Sequence, residues 1–295
     1  MDLVIGITAV SVLCFASFCL SVKTLRGYPR LAEVFACIGT LSALAWIYFF
    51  NGWLAWAKYL PMDAAIIWTN AAPVLLSIAS AGALFLTGRP FWRRAGLCSL
   101  AVAFALGSLL QPVVLPVVRP VNSTLNTIWL PGDVCQQSNG VTCSPAAAVT
   151  LLRTSGIESS EKDLIRLCLT DSLGTTSLGL WRGLRLATRR QRVKPEVMEL
   201  SLEDLQGKTE RDDVFPCLIL VGFPRFGSAT SDPETELLYT QEYGWPRGFR
   251  HSVVVFGRHA DGGVDVGDPS IGRERWSDQD LEILWRGEAV RLVSR

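Results

Sequence analysis

Histidine is scarce in this chain, which contains two in 295 residues. A mechanism that needs an imidazole therefore has few candidates, and His251 stands out because it opens the apolar run His-Ser-Val-Val-Val-Phe. Pairs of the Cys-x-x-Cys type and clusters of His and Cys are absent from the sequence. Zinc held by Cys143 and His251 alone would lack two of its four usual ligands, so we expect no metal and no other cofactor.

Charge is scarce in the first 118 positions, which hold ten of the chain's 28 basic and 27 acidic residues. A bilayer core is crossed by about 20 helical residues. Four apolar stretches reach that length, near 3–22, 31–53, 62–88 and 95–117. The first has no basic segment before it, so we interpret it as a retained span and not as a cleaved signal. Residues 1–118 are therefore predicted to form an all-α, four-helix transmembrane region in contact with membrane lipid.

Basic residues in the short connections predict the orientation of these spans. The second connection holds one basic residue, Lys58, whereas the first and third hold three each. These are Lys23, Arg26 and Arg30 in the first and Arg89, Arg93 and Arg94 in the third. Basic connections stay in the cytoplasm, so we expect the N-terminus and the chain beyond 118 on the outer side of the cell membrane. A net charge of +1 and the lack of a basic run argue against a nucleic-acid partner.

Polar residues inside the third apolar stretch have two interpretations. Asp63, Asn70 and Pro73 lie in or near it, and intramembrane polar groups are candidates for a function. Asn70 is equally explained as a hydrogen-bonding partner of a neighbouring helix. The sequence does not decide between the two.

Beyond the spans, prolines interrupt the chain. Pro112, Pro116, Pro120 and Pro131 argue against one helix over 111–134, so we expect the chain to leave the membrane in extended form, with residues 119–134 as a linker. The pattern becomes helical at Cys143, and further helices are predicted over 159–169 and 177–190. The spacing of the apolar residues then changes to a period of two, which predicts strands at 214–221, 252–258, 264–267 and 290–293. Helices followed by strands indicate an α+β domain over 135–295.

Two features of this domain remain open from the sequence. A loop rich in Gly and Pro, 222–250, ends at His251 and is either a binding lid or a surface excursion. The pairing of the domain's cysteines has three alternatives. Cys168 forms a disulfide with Cys217, Cys135 forms one with either of them, or all are free thiols.

Four residues have the chemistry that acyl transfer by a thiolate needs. Cys143 begins a predicted helix, whose positive N-terminal end favours the thiolate. His251 can form an ion pair with it and protonate a leaving amine. Asp268, seventeen residues after His251, can orient the imidazole through its far nitrogen. Gln137, six residues before Cys143, can donate its amide N–H to an oxyanion together with the Cys143 backbone N–H.

Several segments of 136–295 match the pattern of a known peptidase family. They are Gln137-x5-Cys143 with its Ser-Pro-Ala-Ala continuation, Gly174-Thr-Thr before a helix, Phe215-Pro-Cys-Leu-Ile-Leu-Val, His251-Ser-Val-Val-Val-Phe-Gly and Val264-Asp-Val-Gly-Asp268-Pro. In these segments the chain resembles the papain-like, bacteriocin-processing cysteine peptidases of family C39 and their relatives. The resemblance implies a papain-like fold, with Cys143 as nucleophile, His251 as general base and acid, Asp268 as orienting residue and Gln137 as oxyanion donor.

The chain departs from that family at three points. Ser144 stands where the family usually has glycine, and Gln136 beside Gln137 leaves room for an oxyanion donor one position earlier. Gly207-Lys-Thr resembles the end of a phosphate loop, but Leu202 stands where that loop begins with glycine, so we expect no nucleotide partner. Family members usually work in the cytoplasm, opposite to the orientation predicted here.

The function expected from the sequence is therefore hydrolysis of a peptide bond by a membrane-anchored cysteine peptidase, with a peptide or protein as substrate. Leader-peptide processing is the substrate class that the resemblance implies. Two alternatives are a catalytically silent peptide-binding module on the same fold and another thiolate acyl transfer, such as peptide amidation or cross-linking.

Overall fold

The computed structural model describes residues 1–123, 126–211, 213–224, 227, 230 and 232–295. The chain divides into two compact units, Met1–Val118 and Arg119–Arg295. The first unit is helical, and the second contains helices and a β-sheet. Each is described separately below.

The first unit consists of helices whose apolar length matches a bilayer. Its elements are α1 Asp2–Leu25, α2 Pro29–Ala45 with a π-helical turn at Trp46–Phe50, α3 Trp56–Tyr59, α4 Ala65–Trp68, α5 Ala72–Ala83 and α6 Phe91–Val118. Four segments are long and apolar enough to cross a membrane: Asp2–Leu25, Pro29–Phe50, Ala65–Ala83 and Phe91–Val118. They coincide with the four apolar stretches in the sequence, although α4 and α5 divide the third.

Helix α5 lies at the centre of this unit, in contact with α1, α2 and α6. In Ala65–Ala83, 72% of the apolar window is buried, against 11% to 17% in the other three segments. Small residues allow this close approach, since a Cβ at Gly82 would lie 2.6 Å from the Ala32 carbonyl oxygen. Asn70 Nδ2 donates to the backbone oxygen and to the hydroxyl of Ser108 on α6, both at 3.0 Å. Asn70 therefore bonds a neighbouring helix.

The expectation that the chain is extended from residue 111 was wrong as far as Val118. Helix α6 continues through Pro112 and Pro116. A proline inside a helix loses one backbone hydrogen bond, and transmembrane helices tolerate that loss when local adjustment satisfies the freed carbonyls. In the segment interpreted as a linker, Thr124 and Leu125 lie outside the described residues. Its end pairs as a small antiparallel sheet, β1 Trp129–Leu130 with β2 Val134–Cys135.

The second unit places helices first and most strands afterwards. Its helices are α7 Cys143–Thr154, α8 Glu161–Leu167, α9 Ser177–Ala187, α10 Leu202–Leu205, α11 Pro233–Leu237 followed by a π-helical turn at Leu238–Glu242, and α12 Asp278–Leu284. Its main strands are β3 Val193–Met198, β4 Cys217–Gly222, β5 Arg250–Arg258, β6 Val264–Asp268, β7 Gly272–Trp276 and β8 Trp285–Ser294. In the described part of the chain these strands form one antiparallel sheet in the order β3-β8-β4-β5-β6-β7.

The four expected strands are β4, β5, β6 and β8, and the sequence patterns missed β3 and β7. These two are the edges of the sheet. Strand β3 contains Pro195, and β7 alternates exposed charge with partly buried positions in Gly-Arg-Glu-Arg-Trp. Edge strands carry proline and charge because one of their sides makes no ladder hydrogen bonds. Their composition therefore lacks the apolar run by which a central strand is found.

The sheet has a different partner on each face. Val253 and Val255 of β5 belong to a buried cluster with Leu281 and Leu284 of α12. Neighbouring side chains on a strand point to opposite faces. Helix α7 packs against β4, β5, β6 and β8, so the first turn of α7 lies over the beginning of β5.

Candidate active site

Cys143 is the first residue of α7, and Thr142 precedes it as the cap. The turn before the helix is closed by its own hydrogen bonds. Asn139 N donates to Thr142 Oγ1 at 3.1 Å, and Thr142 Oγ1 donates to the Asn139 carbonyl at 2.9 Å. Thr142 is fully buried. The sulfur is thus held at the positive end of a twelve-residue helix, where the backbone dipole favours a thiolate.

The structure brings His251 and Asp268 together on neighbouring strands. His251 lies in β5 and Asp268 ends β6, and the two strands pair with Val254 opposite Gly267. Asp268 Oδ1 is 2.9 Å from His251 Nε2 and also accepts the Ser270 N–H at 2.6 Å. His251 Nδ1 is buried and has no hydrogen-bonding partner among the described residues. Nδ1 is therefore the ring nitrogen available to Cys143, whose sulfur acts to raise the pKa of His251.

The electrostatics of this group favour a thiolate–imidazolium pair. Burial raises the pKa of the Cys143 thiol, but the hydrogen bond and charge of His251 outweigh it and hold that pKa below its ordinary value. Burial lowers the pKa of His251, but Asp268 and Cys143 together raise it to about 10. The pKa of Asp268 is held low by His251 against the opposing effect of its burial. The imidazole is therefore charged at neutral pH, and the thiol ionises at a lower pH than an ordinary cysteine.

The other three cysteines of this unit have the opposite electrostatics. Burial raises the pKa of each of the Cys135, Cys168 and Cys217 thiols to about 12. All are free thiols, which answers the pairing question left open by the sequence. The Cys168 sulfur fills the space beside Gly183, where a Cβ would lie 2.1 Å from it. These cysteines are packing residues, and Cys143 is the one of the four whose pKa is lowered.

Gln137 lies on a loop that is fixed on both sides. Its backbone N–H donates to the Pro269 carbonyl at 2.9 Å, directly after Asp268 in sequence. The next residue, Ser138, donates its backbone N–H to Glu161 Oε1 at 2.8 Å. Gln137 Oε1 is buried and has no hydrogen-bonding partner among the described residues. The loop therefore holds the backbone of Gln137 close to the residues that follow Asp268.

Sequence reasoning missed two contributions to this site. Glu161 begins α8, only 2% exposed, and its carboxylate anchors the loop through Ser138. Its sequence signal, an acidic residue in a first helical turn, is the same as that of an ordinary surface helix. Trp245 and Phe249 each have their ring centroid 5.9 Å from that of His251, Trp245 edge-on and Phe249 stacked.

Both aromatic residues belong to the loop 222–250, whose role the sequence left open. The loop contains α11 and a π-helical turn and ends against the imidazole. Residues 225–226, 228–229 and 231 lie outside the described residues. The described end of the loop thus forms one wall of the site around His251.

Replacing Asp268 by alanine is expected to lower the pKa of His251 below its ordinary value. The carboxylate is the main group that opposes the effect of burial on the imidazole. The imidazolium is then lost at pH 7, and alkylation of Cys143 by iodoacetamide slows by about tenfold or more. The measurement is the rate constant of alkylation against pH. Asp265→Ala, on the same strand but paired with Arg273, is the control; equal profiles for the two variants would contradict the assignment.

No protein-family model matches the chain. Among relatives by sequence, the Methanothermobacter marburgensis protein called Uncharacterized protein MTBMA_c00490 is 37% identical over 162 residues, which are 55% of this chain and 88% of the relative. An uncharacterized protein of Methanothermobacter thermautotrophicus is 25% identical over 132 residues, 43% of this chain and 90% of the relative.

Solved structures similar to this chain include peptidase domains of transporters. The peptidase domain of Streptococcus ComA, a bifunctional ABC transporter, is 19% identical with a TM-score of 0.39, covering 54% of this chain and 96% of that domain. The double-glycine-motif protease of an AMS/PCAT transporter, in complex with its leader peptide, is 15% identical with a TM-score of 0.40, covering 59% of this chain and 97% of that one.

Proposed function

The chain belongs to the family of the Methanothermobacter marburgensis protein MTBMA_c00490, and we propose that it is a membrane-anchored cysteine peptidase with a papain-like, C39-like domain over 135–295. The observation that carries this proposal is the alignment of Asp268, His251 and Cys143. Asp268 Oδ1 lies 2.9 Å from His251 Nε2, and His251 Nδ1 has no hydrogen-bonding partner among the described residues and is available to the sulfur. A cysteine that only fills space has no need of an imidazole paired in this way.

The proposed reaction proceeds through a thioester. The Cys143 thiolate attacks the carbonyl carbon of the scissile peptide bond, and the bond electrons move to oxygen. The Cys143 backbone N–H and the Gln137 amide donate to that oxyanion. His251 gives its proton to the leaving amine as the carbon–nitrogen bond breaks. His251 then takes a proton from water, the hydroxide attacks the thioester, and the carboxylic acid and the thiolate are released.

The pH dependence of hydrolysis follows from the two shifted pKa values. The pKa of Cys143 is lowered, so the thiolate is present above that value and is lost as the pH falls through it. The pKa of His251 is raised to about 10, so the imidazolium is present below pH 10 and is lost above it. Hydrolysis is therefore expected to reach a plateau that begins below the ordinary thiol pKa of about 8.5 and ends near pH 10.

The substrate and location are part of the same proposal. A peptide or protein is the substrate, and a leader peptide with a double glycine is the class that the sequence resemblance implies. Four apolar helices provide the membrane anchor. The basic residues of the first and third connections favour a domain on the outer side of the membrane.

A peptide-binding module without catalysis is the second candidate, and the burial of the site favours it. Cys143 is 9% exposed and His251 is 4% exposed. A substrate carbonyl must reach a sulfur that is almost covered, whereas a peptide that only binds to the surrounding surface need not. The two candidates differ in whether Cys143 reacts.

Incubation of the full-length protein, in detergent micelles, with peptides that contain a double glycine separates these candidates. A peptidase yields two fragments, one with a new carboxyl group and one with a new amino group, which together carry the elements of one water molecule, and Cys143→Ala abolishes them. Amidation or cross-linking yields fragments with an added amine. Bound but uncleaved peptides, together with alkylation of Cys143 no faster than that of Cys135, would identify a binding module and contradict the peptidase proposal.

A further inference from the structure

Ser144 and Ser252 each follow directly a residue of the proposed catalytic pair. Their hydroxyl oxygens are 2.7 Å apart, although 108 residues separate them in sequence. Both side chains are buried, Ser144 at 7% and Ser252 at 1% exposure. Ser144 stands at a position where the peptidases that the sequence resembles usually have glycine, so this hydroxyl contact is a feature of this chain.

The contact joins the two elements on which the chemistry depends. Ser144 lies in the first turn of α7, and Ser252 lies near the beginning of β5. Val253 faces the core against α12, so its neighbour Ser252 faces the opposite side of the sheet, where α7 packs. Two buried hydroxyls both need partners, and here one donates to the other across the helix–sheet interface.

We propose that Ser252 and Ser144 form a hydroxyl relay that positions and stabilises the Cys143 thiolate. In this relay Ser252 O–H donates to Ser144 Oγ, and Ser144 O–H donates to the sulfur. The inference rests on the proposed function, because it assumes that Cys143 works as a thiolate. Ser144 and Ser252 are positioning residues, and no proton leaves either hydroxyl during the reaction.

The direction of the relay follows from charge. A hydroxyl donates one proton, and a thiolate is the strongest acceptor within its reach, so the proton of Ser144 points to sulfur. The proton of Ser252 is then the one between the two oxygens. A hydrogen bond that is itself polarised by a second donor is stronger, and this matters most where water is excluded.

The electrostatics of Cys143 agree with this arrangement. The Ser144 hydroxyl and the Ser252 backbone N–H both act to lower the pKa of Cys143, against the larger opposing effect of burial. Ser252 thus supports the sulfur twice, directly through its backbone and indirectly through its side chain. A thiolate 9% exposed has little water to stabilise it, and the relay takes part of that role.

The test is the pH profile of Cys143 alkylation by iodoacetamide in the full-length protein, with each cysteine followed by peptide mass spectrometry. Ser144→Gly, which introduces the residue usual in the resembling peptidases, is expected to lower the ionisation constant of Cys143 by about tenfold. Ser252→Ala is expected to lower it by about threefold. The double variant should equal Ser144→Gly, because Ser252 acts through Ser144.

Ser159→Ala is the matched control, since Ser159 Oγ is buried and has no hydrogen-bonding partner among the described residues. Its profile should be that of the wild type. Ser252→Thr keeps the hydroxyl and should restore the wild-type profile. A loss of folding would also change alkylation, so the midpoint of thermal unfolding is measured for each variant. If Ser144→Gly does not fold, the comparison of Ser252→Ala with Ser252→Thr decides the result.

Three outcomes would overturn the relay. Unchanged profiles in Ser144→Gly and Ser252→Ala, beside a wild type with a lowered ionisation midpoint, would leave the pair a packing contact only. Additive effects in the double variant would show that Ser252 does not act through Ser144. If Cys143 of the wild type ionised like an ordinary thiol, both the relay and the proposed function would be contradicted. The first two outcomes contradict the relay alone.

Discussion

Replacing His251 by alanine is expected to slow the alkylation of Cys143 at pH 7 by about 100-fold. The imidazole is the main group that opposes burial, and without it burial raises the pKa of Cys143 above the ordinary thiol value. Only a small fraction of the sulfur then remains as thiolate at neutral pH. Hydrolysis of an ester or peptide should fall further, by about 10³-fold or more, because the leaving group also loses its proton donor.

The chain supplies a matched control for this variant, since it has one other histidine. His259 lies in the turn between β5 and β6, where its backbone N–H donates to the Gly263 carbonyl. His259→Ala should leave the alkylation of Cys143 unchanged. A similar rate in wild type and His251→Ala would mean that Cys143 is not activated, and a similar decrease in both histidine variants would point to a general loss of structure.

Replacing Gln137 by alanine is expected to slow the acylation of Cys143 by p-nitrophenyl acetate by about 10²–10³-fold, the usual effect of removing one oxyanion donor. Alkylation by iodoacetamide should stay within about twofold of the wild type, since displacement of iodide by sulfur develops no oxyanion and the thiolate is stabilised by other groups. The measurement is the ratio of the two rate constants. It separates a role in the transition state from a role in thiolate formation.

Gln136→Ala is the control for Gln137→Ala, because the sequence alone left the donor uncertain by one position. Gln136 donates its backbone N–H to Ile128, whereas Gln137 is bonded to Pro269, next to Asp268. If Gln136→Ala gave the large loss of acylation, the donor would have been assigned to the wrong residue. If both rate constants fell together in Gln137→Ala, the side chain would be supporting the loop and not the oxyanion.

Much of the fold was predictable because its signals are local. The apolar spans are continuous runs, and the helix at Cys143 and the strands β4, β5 and β6 have clear periods of their own. The proline-containing end of α6 and the edge strands β3 and β7 were not predicted. Their local composition argues against the structure that they adopt.

The four candidate site residues were proposed from the sequence, through their residue types and spacing. Their roles remain predictions, whereas the 2.9 Å contact between His251 and Asp268 is a structural fact. Spacing alone did not show that Glu161 anchors the Gln137 loop or that Phe249 stacks on the His251 ring. No pattern in the sequence around these residues indicates these contacts.

The sequence by itself determined the apolar spans, the helix that presents Cys143 and the strands that bear His251 and Asp268, since each depends on a run or period of neighbouring residues. Only the tertiary structure decided which of the four cysteines has a lowered pKa. Cys135, Cys168 and Cys217 are as buried as Cys143, and all four would have raised pKa values on burial alone. The difference is the imidazole of a residue 108 positions away, and such a contact is made by the packing of α7 on β5 and by no local pattern.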